Sequence, residues 1–398
     1  MSLSTFDASL LLFSSIASGP AGIEPAIGAA GFANTIIGLL AIQLLFGGPQ
    51  SVIVLSLVKE TGGGHDGGVV YWSEKLIGTH AKRVMALIQL FANCATAAAV
   101  AQIAEAYVST LLSSNDSFQD NKRLMIYGIT IGAVVFAFTI CSISLRSVVN
   151  ACGLFSLFTF AAYTTFFATS VPKMKLHRLH PPKMSGVNWA VLFNNLIFNA
   201  SGYDSAAMLG DELNPKARKN IPFVIIFVMA STSLMYTFTL GGAYLASKTS
   251  DSDWGEGHFA VVAREIGGPK LRAVIVAASL GSMFQMFTAS FEIAVTSVIA
   301  GFNRTRWVTL LVTLAVSLGF CFIPVQISLA VQAVLYGVAY ICEVYLYTLL
   351  KRDVNLFLYL FLAVSIGFSI LIVALQPWWI IVTTLGSVAA SGLLSIVY

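Results

Sequence analysis

Residues 18–31 read SGPAGIEPAIGAAG and follow the apolar run LLLFSSIA. The stretch holds two prolines, four glycines and one carboxylate, Glu24. Glycine and proline unwind a helix, and the backbone groups they free find no partners in hydrocarbon. Glu24 precedes Pro25, and a residue before proline is pushed out of the α region. Pro25 in turn suits the first position of a new half-helix. Glu24 therefore falls at a helix N-terminus, where the dipole favours an anion. The reading is a membrane helix broken midway, with the break and the acid together making a cation site.

Composition supports the membrane setting. The chain has 398 residues, of which 57% are hydrophobic and 10% charged, and its mean hydropathy is +0.83. Soluble domains carry about 25% charged residues. A span of the bilayer core takes roughly 20 apolar residues. Such segments lie near 8–32, 35–58, 83–112, 123–143, 147–170, 189–212, 222–246, 272–301, 306–324, 326–350, 354–375 and 377–397. The expected fold class is thus an all-α integral membrane protein with about 12 transmembrane helices. It is read as one domain over 1–398, without linkers or low-complexity tracts. Cys94, Cys141, Cys152, Cys321 and Cys342 all fall in apolar segments and read as buried free thiols.

An even helix count puts both termini on one side. Twelve of the 22 Lys and Arg residues fall on that side. The slight excess, with the sequon Asn115-Asp116-Ser117 on the other side, places the termini in the cytoplasm. A second sequon, Asn303-Arg304-Thr305, points the other way.

The sixth segment also breaks. It contains NNLIFNASGYDSAAMLGDELNP, residues 194–215. Gly22-Ile23-Glu24 in the first helix is matched by Gly202-Tyr203-Asp204 in the sixth, each a glycine, a hydrophobic residue and an acid. The two breaks sit in the first helices of two successive five-helix sets, 8–170 and 189–350, ahead of a last pair, 354–397. Paired interruptions of this kind point to a transporter site near the midplane. A carboxylate there costs about 2.5–3.5 kcal/mol on insertion scales. Two acids facing one cavity repel, so one is protonated or a cation sits between them: a proton, a metal ion or an organic amine.

Other intramembrane acids belong to polar stripes. Glu105 shares a face with Gln102 and Ser109, Glu292 ends the stripe Gly281, Gln285, Thr288, and Glu343 follows Gln332, Tyr336 and Tyr340. Each stripe lines a pathway or makes contacts between helices. Tyr203 and Tyr340 are candidates for packing over an ammonium group. Asp211 and Glu212, followed by Lys216, Arg218 and Lys219, read as a helix stop with solvated charges. The basic residues are scattered, which excludes a nucleic-acid partner. No zinc-protease or phosphate-loop motif is present, the run Gly62–Gly68 lacking the lysine of the latter, and no helix carries a voltage sensor's arginines. No cofactor, metal or catalytic residue is expected.

These residues carry a resemblance. Gly19-Pro20-Ala21-Gly22-Ile23-Glu24 is similar to the G-P-x-G-I-E pattern in the eukaryotic polyamine uptake branch of the amino acid–polyamine–organocation (APC) transporter superfamily, related to the L-type amino acid transporters. Tyr203-Asp204 resembles that branch's aromatic–Asp pair, and Leu335-Tyr336 with Glu343 its tenth-helix pattern. Gly67 to Trp72 and Glu212 to Pro222 resemble two further segments, the latter with one residue fewer before Asn214. The resemblance implies a LeuT-type 5+5 inverted repeat with broken first and sixth helices. It implies secondary transport by alternating access, coupled to H+. The implied substrate-binding residues are Gly19, Gly22, Glu24, Ser201, Gly202, Tyr203 and Asp204, beside Glu292, Tyr340 and Glu343. One departure is the segment between the eighth and ninth helices, only Asn303 to Arg306 here and longer in relatives.

Three functions follow as expectations. The first is a plasma-membrane polyamine importer for putrescine or spermidine, a symporter. The second is an amino acid transporter that binds a carboxylate on freed N–H groups. Glu24 beside that spot repels a carboxylate, which favours the first. The third is a transport-inactive homologue acting as a sensor or partner subunit.

Overall fold

The computed structural model describes residues 2–60, 67–112, 116–182, 184–208, 213–351 and 356–397. Asn115, the acids Asp211 and Glu212, and most of the glycine run, 62–66, lie outside the described residues. Among the described residues the fold is all-helical. A single isolated parallel bridge pairs Leu3 with Leu213.

The first apolar segment forms two helices, α1 (Thr5–Ile16) and α2 (Glu24–Ala30). Gly31 ends α2 and opens α3 (Phe32–Ile42), which continues through a π-helical turn, Gln43–Gly47, into α4 (Gly48–Glu60). After α5 (Val69–Leu76) come three long helices, α6 (Thr79–Leu112), α7 (Asp116–Ile143) and α8 (Leu145–Ser170). The sixth segment gives α9 (Trp189–Ala200) and the short α10 (Ser205–Met208), followed by α11 (Pro215–Lys219) and α12 (Ile221–Ala246). The rest is α13 (His258–Phe302), α14 (Arg306–Phe320), α15 (Val325–Leu350), α16 (Leu356–Ala374) and α17 (Trp378–Val397).

Six stretches among the described residues are each long and apolar enough to cross a membrane unaided: α3–α4, α6, α12, α13, α15, and α8 with the turn that follows it. A seventh is the pair α16–α17, bent by 108°. Shorter apolar helices include α1, α14 and residues 128–143 of α7. The chain is an integral, multi-pass membrane protein. Its burial pattern inverts that of a soluble domain. Phe223, Ile226, Leu234, Leu154, Trp307 and Leu311 face outward, while Glu24, Gln89, Asn93, Asp204, Gln285 and Glu343 are buried.

Two elements differ from the pattern read off the sequence. The eighth segment starts at His258 and not near 272, because two helices join across a kink at Gly268-Pro269. Proline lacks the N–H that a straight helix needs there. The second segment carries the π turn, a local unwinding found often at functional sites.

At the centre, α6 packs against α13, α15, α14, α17, α5 and α7. Its run Ala95 to Ala101 is almost free of bulk, which lets neighbouring backbones approach closely. Helix α1 lies on α8, α12 and α13, and α2 lies on α9. The start of α1 is anchored independently. Ser4 and Asp7 form a capping box, Asp7 pairs with Arg146 at 2.8 Å, and the Asn214 N–H donates to the Leu3 carbonyl at 3.0 Å.

Candidate substrate site

The first break runs from Ala17 to Ile23, and its backbone is irregular: φ is 47° at Ser18, 154° at Gly19 and 92° at Gly22. Gly22 has a second reason to be glycine. A Cβ there would lie 3.0 Å from Ile103 Cδ1 and 3.3 Å from Phe198 Cε1. The carbonyls freed by the break are met by side chains from two other helices. The Tyr236 hydroxyl lies 2.7 Å from the Gly19 oxygen and 2.9 Å from that of Ala17. The Gln285 amide donates to the Ser18 carbonyl, and Ser156 donates to Gln285 Oε1 at 2.8 Å.

Glu24 opens α2, with Pro25 in its first turn. Its carboxylate is fully buried. It accepts from the Gly22 N–H at 2.6 Å and from the Tyr107 hydroxyl. No Lys, Arg or His among the described residues contacts it. The two bonds hold the anion at the helix N-terminus, where the sequence places it.

The second break spans Ser201 to Asp204, with φ of 100° at Gly202. Ser201 donates back to the Ile197 carbonyl at 2.7 Å. Tyr203 donates to Gln43 Oε1 at 2.6 Å, from the π turn. Gly47 of that turn lies under the Tyr203 ring, where a Cβ would come within 2.7 Å of Cε2. The turn thus seats the aromatic residue of the sixth segment. Asp204 accepts from Gln89 Nε2 at 2.8 Å, while its Oδ1 has no partner.

Of the three further acids singled out in the sequence, Glu105 accepts from Ser109 Oγ at 3.4 Å, on its own helix face, and the other two have different surroundings. Glu343 is fully buried and accepts from Gln50 Nε2 at 3.2 Å. It lies within electrostatic reach of Asp204. Glu292 instead pairs with Arg306 at 2.8 Å, and Arg306 also donates to the Cys141 carbonyl at 2.7 Å. Tyr340 packs against Phe46 with ring centres 4.8 Å apart, and its hydroxyl has no partner.

The breaks therefore meet, but their acids do not. Tyr236 joins the breaks, since its hydroxyl also lies 2.9 Å from Asn199 Oδ1, at the end of α9. Glu24 and Asp204 share no hydrogen-bond partner. Their partners on α6, Tyr107 and Gln89, are 18 positions apart, or about 27 Å at 1.5 Å per residue. The structure thus holds two buried acidic stations on one helix. Glu24 forms one; Asp204 with Glu343 forms the other.

Sequence reasoning did not find Gln43, Gln50, Gln89, Tyr107 or Tyr236. The available signal was a neutral polar or phenolic group inside an apolar span, of the kind that must find a partner there.

Against known proteins, the amino acid permease family model matches residues 3–395. A polyamine transporter of Arabidopsis thaliana, RMV1, is 26% identical over 290 residues, covering 71% of this chain and 56% of that protein. The polyamine transporter PUT1 of Oryza sativa subsp. japonica is 24% identical over 284 residues, covering 71% and 52%. The chain spans just over half the length of the curated relatives it matches. With the family model matched almost end to end over a polytopic helical fold, the chain belongs to the amino acid permease family of the APC superfamily, a family of transporters and not of enzymes.

Proposed function

We propose that the chain carries polyamines such as putrescine or spermidine across the plasma membrane, inward, by alternating access and in symport with H+. The architecture proposed for it is the LeuT-type 5+5 inverted repeat with about 12 spans and cytoplasmic termini. The observation that carries the substrate class is Glu24: a fully buried acid at a helix break, bonded only to neutral donors. A buried carboxylate without a basic partner is completed by a cation. Polyamines bring cations without a carboxylate, and the named relatives are polyamine transporters.

The amino acid reading is weaker on the same geometry. An amino acid's carboxylate needs freed N–H groups at the first break. The Gly22 N–H is already taken by Glu24, whose charge opposes a second anion. The reading as a non-transporting partner subunit rests on the short connection after α13, where Asn303 ends one helix and Arg306 starts the next.

Uptake of labelled putrescine and spermidine, with leucine and arginine as competitors, tests the proposal in cells expressing the full chain. Polyamine accumulation that is lost in Glu24→Gln is the expected result. Amino acid uptake without polyamine uptake would overturn it.

A further inference from the structure

The station formed by Asp204 and Glu343 is short of one hydrogen. Asp204 is 2% exposed and Glu343 fully buried. Among the described residues, the side chains that donate to their four carboxylate oxygens are the amides of Gln89 and Gln50. Two acceptors at the station have no donor at all, Asp204 Oδ1 and Gln50 Oε1. Two ionised carboxylates within electrostatic reach of each other, away from water, repel one another and leave two buried charges uncompensated.

No salt bridge among the described residues reaches either acid. The groups facing the pair from α15 are the hydroxyls of Tyr336 and Tyr340 and the thiol of Cys342, all neutral. Tyr347 lies further along the same helix, and Tyr203 is spent on Gln43. On α6 the basic groups before Gln89 are Arg83, six positions away, and Lys82, seven positions away and paired with Glu74 of α5 at 2.7 Å. The other charged group of α5 is Lys75, which sits over the Tyr71 ring. At the end of α4, Glu60 pairs with Lys351, and Lys59 lies beside it. Asp7 of α1 and Glu292 of α13 are matched by Arg146 and Arg306, and the other acid of α13, Glu265, accepts from the Lys248 backbone N–H at 3.3 Å.

We propose that Asp204 and Glu343 together hold one exchangeable proton, at a site separate from the Glu24 station. The proton makes one carboxyl an O–H donor. Carried by Glu343, it gives the orphaned Gln50 Oε1 a donor; carried by Asp204, it sits on the oxygen that accepts nothing, Oδ1; either way it removes one of the two charges. On release it passes to water on whichever side the station opens. Resting on the transport reading above, this is the proton whose movement drives the substrate, while Glu24 takes the substrate's ammonium. The pair joins the broken sixth segment to α15, so gain or loss of the proton changes the force between those two elements.

The test uses the full chain in lipid vesicles, with two readouts. Infrared difference spectra on a pH jump, without substrate, report the C=O stretch of a protonated carboxyl. The expected result is a band that disappears in Glu343→Gln and in Asp204→Asn. Its persistence in both variants overturns the proposal. The second readout compares putrescine accumulation driven by a pH gradient with putrescine counterflow in the absence of one. In Glu343→Gln, accumulation falls at least tenfold further than counterflow, and Glu343→Asp restores part of it. Equal losses in both, or accumulation driven by a sodium gradient instead, overturn the coupling role. A wild-type protein that moves no putrescine refutes the polyamine reading, while the infrared band still decides whether the proton site exists.

Discussion

Tyr236 ties the two broken segments together through one hydroxyl. Tyr236→Phe removes that hydroxyl and leaves the ring in place. A phenol has a single proton, so the direct loss is one net hydrogen bond, about 0.5–1.5 kcal/mol. The larger loss is what remains behind. The carbonyls of Ala17 and Gly19 have the Tyr236 hydroxyl 2.9 and 2.7 Å away, inside a buried break. An acceptor stranded there costs about 1–3 kcal/mol. The expected destabilisation is therefore about 2–4 kcal/mol. Tyr163→Phe is the internal control. Its hydroxyl meets Ser279 Oγ at 2.8 Å, and Ser279 keeps its own bond to the Ile275 carbonyl at 2.8 Å. No acceptor is stranded, so that change costs about 1 kcal/mol. Both are read by denaturant unfolding in detergent, together with the cycle that adds Asn199→Ala. Coupling between Tyr236 and Asn199 of about 0.5–3 kcal/mol marks the tie between breaks. Tyr236→Phe as stable as the control, with effects additive to Asn199→Ala, would refute the reasoning.

Three further outcomes follow from the same contacts. Tyr107→Phe removes one of the two donors to Glu24, a charge-assisted bond of about 1.5–3 kcal/mol, so polyamine half-saturation shifts by about 10- to 150-fold; an unshifted saturation curve separates Glu24 from substrate binding. Gly22→Ala puts a methyl against Ile103 and Phe198 at a φ of 92°, and lowers stability by at least 1–2 kcal/mol, with partial rescue by Ile103→Val, as thermal unfolding will show. Arg306→Ala leaves Glu292 buried and unpaired, and the yield of folded protein on size-exclusion chromatography falls sharply. Adding Glu292→Gln recovers most of that yield, since the stranded charge is gone.

Much of the architecture was legible because glycine, proline and acids are rare inside apolar spans. Gly19, Pro20 and Gly22 announce the first break, and Gly202 with Asp204 the second. The helix that begins at Glu24 follows from Pro25. What the sequence could not reveal was which neighbour answers each polar group. Gln89 and Tyr107 lie on one helix at 18 positions' separation, and nothing in their spacing assigns one to Asp204 and the other to Glu24. The expectation that both acids face one cavity came from the symmetry of the two breaks. Symmetry places the breaks side by side, but side-chain direction sends the acids to different partners. Glu292 read as part of a polar stripe, and its pairing with Arg306 depends on the tight Asn303 turn between α13 and α14. The start of α13 was hidden because Gly267-Gly268-Pro269 looks like a loop, whereas two packed helices tolerate one kinked residue. The π turn has no sequence signature beyond Gly47-Gly48-Pro49.

The parallel bridge from Leu3 to Leu213 has a practical corollary. Whatever precedes Leu3 hangs from the seam that fastens the leading helix to the stretch leaving the second interruption. A fusion partner at the amino terminus would tug on that seam, so reporters and purification handles belong at the other end.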